Sequence, residues 1–239
     1  MFKTSAVEAA LYIHPCLSEI SEANAVERDA TVDSLVNSIN LRDGVKARFF
    51  LNILSLANSA GEKLLAFSQY TLPMKFLERL LVKEMGWHVG KEIFVINGDT
   101  STEDRQLAMD QFNGSADAKV VFCSIEAFGE GFSLVGASRI VILDVHLNPS
   151  VTCQAIRRTF RPGQKKKVFV YRLVAADSPE EKAHETAFNK EVIPKLWFQW
   201  SGRCTTEDFR QNQVDIDSSG DELLETDVIR QDIKALYQR

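Results

Sequence analysis

Cys153-Gln154-Ala155-Ile156-Arg157-Arg158-Thr159-Phe160-Arg161-Pro162-Gly163-Gln164 sets three arginines within five positions and then stops at Pro-Gly. Arg158 and Arg161 are three apart, so a helix would carry them on one face; Arg157 and Arg161, four apart, are also neighbours. Pro162-Gly163 reads as the stop just after the last arginine. Crowded guanidinium groups repel one another unless an anion lies between them. A triphosphate suits them, because guanidinium matches phosphate oxygens two at a time. A solvated basic helix is the plain alternative for a lone pair of arginines, and the flanking sequence speaks against it.

Working outward, Asn148-Pro149-Ser150 opens the arginine helix, with Asn as N-cap and Pro at the first helical position. The run Ile142-Leu143-Asp144-Val145-His146-Leu147-Asn148-Pro149-Ser150 precedes it, and before that stands the glycine-rich Gly129-Glu130-Gly131-Phe132-Ser133-Leu134-Val135-Gly136-Ala137. Glycines here let the backbone approach another group or take a positive φ. Gln154, Arg158, Arg161, Gly163 and Gln164 together resemble motif VI of the superfamily-two helicases, in the form used by SWI/SNF-type chromatin-remodelling translocases. The glycine turn resembles motif V, and the Leu143-Asp144 to Asn148-Pro149-Ser150 segment resembles the stretch between them.

Strands alternate with helices along the chain. A helix is expected over 46–59 from Phe49, Phe50, Ile53, Leu54 and Ala57, then a strand over Lys63–Phe67 and a helix over Pro73–Met85. Further strands follow at Ile93–Ile96, Val120–Cys123, Arg139–Leu143 and Val168–Val174, with a helix starting near Thr102 and a long one from Ser178-Pro179 to about Trp200. This order predicts an α/β fold, a parallel sheet with helices on both faces. Gln69, Gly98, Ser124 and Asp144 each fall just after a strand. Ligands of open α/β sheets collect at the carboxyl ends of strands, so one working edge is expected. Residues 1–45 read as a lead-in of short helices joined by loosely ordered chain, with His14 a capping or packing residue. Residues 211–222 combine Gln, Asn, Asp, Ser and Gly with few apolar side chains and are expected to be mobile. A short terminal helix is expected after Leu223.

The 239 residues, 45% hydrophobic, suffice for one domain with appendages and a sizeable core. The net charge of −5 does not advertise nucleic-acid binding, but its distribution is uneven. Residues 154–172 hold seven basic side chains and no acid, whereas 204–227 hold eight acids and Arg210 as sole base. Four cysteines without Cys-x-x-Cys spacing argue against a zinc site and for reduced thiols inside a cell. No run is apolar enough to span a membrane, and Glu8 interrupts the N-terminal apolar stretch, against a signal peptide.

The resemblance implies a RecA-like second motor lobe over 61–177, with a linker and helices over 1–60 and a helix with an acidic tail over 178–239. By the same resemblance, Arg158 and Arg161 are arginine fingers, and Gln154, Gly129, Glu130 and Gly131 lie at the nucleotide. Phe67-Ser68-Gln69 resembles motif IV, and Gly98 through Ser101, Arg105 and Phe112-Asn113 resemble a further block of the family. Gln69, Gly98, Ser101, Thr102 and Ser124 are then nucleic-acid contacts, since hydroxyls and helix N-termini donate to phosphate; for Ser101 and Thr102, ordinary helix capping is the alternative. Three positions depart from the family pattern: Glu126 stands where Lys or Arg is usual, Phe128 replaces a glycine of motif V, and Arg157 replaces a small residue.

The one Walker-like run, Gly86-Trp87-His88-Val89-Gly90-Lys91-Glu92, has its glycines one residue too close and Glu92 where Mg²⁺ needs a hydroxyl. The chain therefore looks like a second lobe without its first. ATP and Mg²⁺ would be completed by that partner, and the chain alone is expected to hydrolyse no ATP. The stretches Leu134–Val151 and Arg161–Lys182 and the tail from Trp197 to Arg239 closely resemble the plant CLASSY proteins, remodeller-like nuclear factors that work with RNA polymerase IV in small-RNA production and RNA-directed DNA methylation; the resemblance covers nearly the whole chain and is clearest from residue 63 to 200. Duplex DNA or chromatin, a first RecA-like lobe and the polymerase IV machinery are the partners this implies. A non-catalytic scaffold and a truncated product without motor function are the rival readings.

Overall fold

A computed structural model describes residues 6–20, 25–124, 133–199 and 211–238. Its centre is a five-stranded parallel sheet in the order β2-β3-β1-β4-β5. The strands are β1 (Leu64–Ser68), β2 (Ile93–Ile96), β3 (Val120–Ser124), β4 (Arg139–Ile142) and β5 (Phe169–Arg172). β1, β3 and β4 are buried along their whole length. That is why they read as unbroken apolar runs rather than alternating ones: a parallel sheet is covered on both faces.

Alternate residues feed two separate cores. Leu64, Ala66, Val120, Phe122 and Val141 face one layer, whose helices are α1 (Ala6–Ile13), α2 (Ala25–Ser38), α3 (Val45–Ser59) and α4 (Thr71–Met85). Leu65, Phe67, Val121, Cys123, Ile140 and Ile142 face the other, against Met109 and Phe112 of α5 (Thr102–Gly114) and Ala155 of α6 (Pro149–Arg157). This is the period of two expected of strands, and the parallel α/β fold expected from the sequence is the one observed. α7 (Pro179–Gln199) follows β5, and a short antiparallel pair, β6 (Asn212–Val214) and β7 (Leu236–Gln238), brackets the four-residue α8 (Asp227–Arg230).

The N-terminal lead-in is more regular than expected, since α2 alone runs for fourteen residues. Buried His14 caps and packs. Its Nδ1 accepts from Cys16 N at 3.2 Å, so Nε2–H donates to the Asn40 carbonyl at 3.1 Å, and its ring lies 5.8 Å from that of Phe76. A Cβ on Gly44 would come within 2.2 Å of the His14 ring, so glycine alone lets α3 begin there.

Two expectations are corrected. The arginine helix stops at Arg157 rather than after Arg161. Arg158 N and Thr159 N bond the carbonyls three residues back, at 3.2 and 3.0 Å, and the Thr159 hydroxyl donates to the Ile156 carbonyl at 2.8 Å. A side chain competing for the last carbonyls closes the helix early, so Arg158 and Arg161 do not share a helix face.

Residues 211–222 are ordered rather than mobile. Asp221, 2% exposed, accepts from Arg139 Nη1 at 2.5 Å and from the Tyr171 hydroxyl. Arg139 also bonds Tyr171 and, at 2.5 Å through Nε, Glu62, while its guanidinium lies 4.2 Å over the Phe169 ring. Arg48 on α3 pairs with Asp232. The few apolar residues of the tail, Ile216, Leu224, Ile229 and Leu236 among them, join the α3 core. Burial of a few anchors and buried charge pairing offset the entropy that its polar composition alone would not.

Candidate functional site

β1 and β4 are neighbours whose following connections leave in opposite directions, toward β2 and toward β5. This is the switch point of an open α/β sheet, where a crevice opens at the carboxyl ends. Asp144, 3% exposed, sits at that point. Its carboxylate accepts from Ser68 Oγ at 2.5 Å, from Gln69 N at 3.0 Å and from Gln69 Nε2 at 3.2 Å. Burial pushes its pKa up, while the Ser68 and Gln69 bonds pull the other way. Gln69 Nε2 also donates to the Val145 carbonyl at 3.1 Å. Both amide protons of Gln69 are thus spent within the fold, and Oε1, an acceptor, is what the side chain has left to offer.

Behind Asp144 lies Lys46, which sequence reasoning missed. Its Nζ bonds the Leu143 carbonyl at 2.9 Å and both oxygens of Glu180, at 2.9 and 2.7 Å. The pair is 6% and 2% exposed. Burial lowers the Lys46 pKa and Glu180 opposes that. Glu180 also accepts from Ala175 N at 2.8 Å, so the start of α7 is pinned to α3 and to the end of β4. A signal existed: Lys46 stands in register with Phe49, Phe50 and Ile53 on the buried stripe of its helix. Glu180 gave none, because an acid in a helix's first turn is ordinary. Beside this network a cavity of about 20 Å³, room for a single water, is lined by Asp144, Thr152, Arg172 and His184 among others.

The loop after β2 is built from its own polar groups. Asn97 Oδ1 accepts from Asp99 N at 3.0 Å and from Thr100 N at 3.1 Å, and Arg105 Nη2 donates to the carbonyls of Asn97 and Gly98 at 3.2 and 3.0 Å. Gly98 is exposed, with open space where a Cβ would be. Ser101 is the N-cap of α5, accepting from Asp104 N at 3.1 Å and donating to Asp104 Oδ2 at 2.6 Å. Thr102 begins the helix and is exposed, whereas Ser124 ends β3 and is 6% exposed. Gln69, Gly98, Ser101, Thr102 and Ser124 therefore all lie along the carboxyl edge of the sheet.

The arginines lie elsewhere. α6 starts at the carboxyl edge and runs back about 13 Å along the sheet over nine residues. Its end therefore comes to the segment that leads into β4. There Leu134 N donates to the Arg158 carbonyl at 3.3 Å, and Gln164 Nε2 donates to the carbonyls of Val135 and Ala137 at 3.0 and 2.8 Å. Gly163, at φ 108°, completes the turn. Arg157 is exposed, and Arg158 and Arg161 are half-buried. Among the described residues none of the three guanidinium groups meets a carboxylate. Gln154 is exposed partway along α6. Gly129, Glu130 and Gly131 lie outside the described residues, as do Glu126 and Phe128.

Three neighbouring cations that meet no carboxylate among the described residues fit a polyphosphate, so the residues present suit the anionic part of a nucleotide. A bound nucleotide supplies the γ-phosphoryl group, on which negative charge spreads as it is transferred. No group of three or more His, Cys, Asp or Glu among the described residues is placed to hold a metal ion.

Residues 45–163 match the helicase conserved C-terminal domain. The chain is 37% identical over 198 residues to "SNF2 domain-containing protein CLASSY 4" of Arabidopsis thaliana, covering 82% of this chain and 18% of that protein. It is 36% identical over 209 residues to CLASSY 3 of the same plant, covering 85% of this chain and 15% of the relative. The chain thus spans less than a fifth of the length of these relatives. Among solved structures, the C-terminal part of the Fun30 ATPase domain superposes with a TM-score of 0.58 at 28% identity, covering 72% of this chain and 56% of that one.

Proposed function

Because the chain belongs to the helicase conserved C-terminal domain family, as a C-terminal helicase lobe of the SNF2 chromatin-remodeller type, we propose that it is the second motor lobe of an ATP-dependent DNA translocase. The lobe proper is assigned to 61–177, with 1–60 and 178–239 as its extensions. Its nucleotide side is the α6 turn, where Arg158 and Arg161 act as arginine fingers and Gln154 with Gly129, Glu130 and Gly131 completes the lining. Its nucleic-acid side is the carboxyl edge. There Gly98, Ser101, Thr102 and Ser124 face the DNA backbone, and Gln69 contributes through Oε1, an acceptor for base amino groups. The first lobe brings the magnesium ligands and the Walker lysine.

The observation that carries this reading is the trio of guanidinium groups that meet no carboxylate among the described residues, held at the far end of α6 from the polar strand ends. An anion-directed turn at one end of α6 and a polar strand edge at the other are what a lobe needs to bridge a nucleotide and a DNA strand. Arginine fingers act when charge develops on the transferred phosphoryl group, and a typical one is worth about 10³–10⁵ in rate. In a two-lobed protein containing this chain, Arg161→Ala is expected to lower kcat and kcat/KM together by about 10³. DNA affinity should hardly change, since one contact among many is minor. ATPase turnover at saturating DNA measures this, and intact turnover in Arg161→Ala would sink the assignment.

From the CLASSY likeness we infer the finer setting: a nuclear factor acting with RNA polymerase IV in small-RNA production and RNA-directed DNA methylation. The departures at Glu126, Phe128 and Arg157 favour one rival, a scaffold that keeps the fold and recruits a polymerase without turnover. DNA-stimulated ATPase activity of the two-lobed protein distinguishes motor from scaffold.

A further inference from the structure

Phe160 is 57% exposed, the most exposed of the large apolar side chains among the described residues. It stands between the two half-buried candidate fingers, on a turn whose backbone is fixed at both ends. On one side Thr159 is 0% exposed and bonds Ile156 through both its N–H and its hydroxyl; on the other, Gln164 N bonds the Arg161 carbonyl at 3.1 Å and its side chain grips Val135 and Ala137. Among the described residues no ring stacks on Phe160, and no cation lies over it.

A rigid turn that holds an aromatic ring in water beside guanidinium groups that meet no carboxylate among the described residues suits one ligand chemistry. A nucleoside polyphosphate has phosphates for the cations and a flat base for the ring. Aromatic side chains stack on bases with little regard to which base, because every base has a π face. We propose that Phe160 is a base-stacking platform on this lobe and that the α6 turn takes a nucleotide by base and phosphates together. The proposal rests on the phosphate-directed reading of Arg158 and Arg161 and adds the base to it.

The test uses the full 239-residue chain at low salt, with ATP, GTP and inorganic tripolyphosphate titrated by calorimetry. ATP and GTP should bind more tightly than tripolyphosphate by about 5- to 150-fold, the span of aromatic–base stacking. Phe160→Ala should erase that difference and leave tripolyphosphate binding alone, and Phe160→Trp should keep it. Equal binding of ATP and tripolyphosphate overturns the platform, as does an ATP preference that survives Phe160→Ala or the absence of ATP binding at millimolar ligand. In the second case Phe160 is a contact for the partner lobe instead. The phosphate reading fails separately: tripolyphosphate would then bind Arg158→Ala/Arg161→Ala as well as the unchanged chain.

Discussion

His184 shows how a single side chain registers its surroundings. Burial lowers its pKa, the nearby Arg172 lowers it further, and Glu191 opposes both. Asp144 and His146 line the same cavity. The folded state therefore binds a proton at His184 less readily than the unfolded chain does. The stability tied to this neutral imidazole is fully present above its ordinary pKa of about 6.5 and is lost as the pH falls below that value. Urea denaturation at pH 7.5 and 5.5 should show the unchanged chain losing stability with a contribution from this site of at most about 1.4 kcal/mol per pH unit. His184→Gln should lose less over the same interval. An identical decline in both proteins would mean that His184 is not the group responsible.

At the scale of elements, the Lys46–Glu180 pair joins the start of α3 to the start of α7. Breaking a buried ion pair from one side leaves an uncompensated charge, typically costing about 3–5 kcal/mol, whereas replacing both partners by apolar residues of similar volume is often neutral. Glu180→Ala should therefore destabilise the chain by about that amount. Lys46→Met/Glu180→Leu should recover most of the loss, although the Leu143 carbonyl gives up a donor and Ala175 N an acceptor. Denaturant midpoints of the three proteins decide this, and a double substitution as damaging as the single one would count against it. The same element-scale logic explains the short α6. Helical periodicity placed three arginines on a face, but Thr159 ended the helix by bonding the carbonyl that the next turn would have used.

For the whole molecule, the C-terminal segment is the decisive feature. Asp221 reaches back to Arg139 at the start of β4 and Asp232 to Arg48 on α3, so the last part of the chain closes over earlier parts of the fold. Deleting residues 211–239 would remove Asp221 from the buried Arg139 guanidinium, leaving Glu62 and Tyr171 to hold it, and would take Asp232 from Arg48. A loss of about 3–5 kcal/mol is expected, with slow amide exchange across 211–222 in the intact chain. A deletion that leaves the melting transition unmoved, or fast exchange throughout that stretch, would contradict this closure.

The order of strands and helices was legible because burial on both faces of a parallel sheet leaves short unbroken apolar runs, and the helices between them keep the period of their buried stripe. The candidate residues at the carboxyl ends, Gln69, Gly98, Ser124 and Asp144, were legible for the same reason: a strand's end locates the edge. What Gln69 and Ser101 do with their hydrogen bonds was not legible. Their partners, Asp144 and Asp104, compete with any ligand for the same protons, and only coordinates show which acceptor holds them. The Lys46–Glu180 and Arg139–Asp221 pairs join residues 134 and 82 positions apart. A composition window sees eight acids in a polar tail and reads mobility; the fold brings one of them to a buried guanidinium. Local pattern determined the elements, because their periodicity is a property of neighbouring residues. Tertiary structure decided the charge pairing and the order of the tail, because long-range burial changes what a charged side chain costs or contributes.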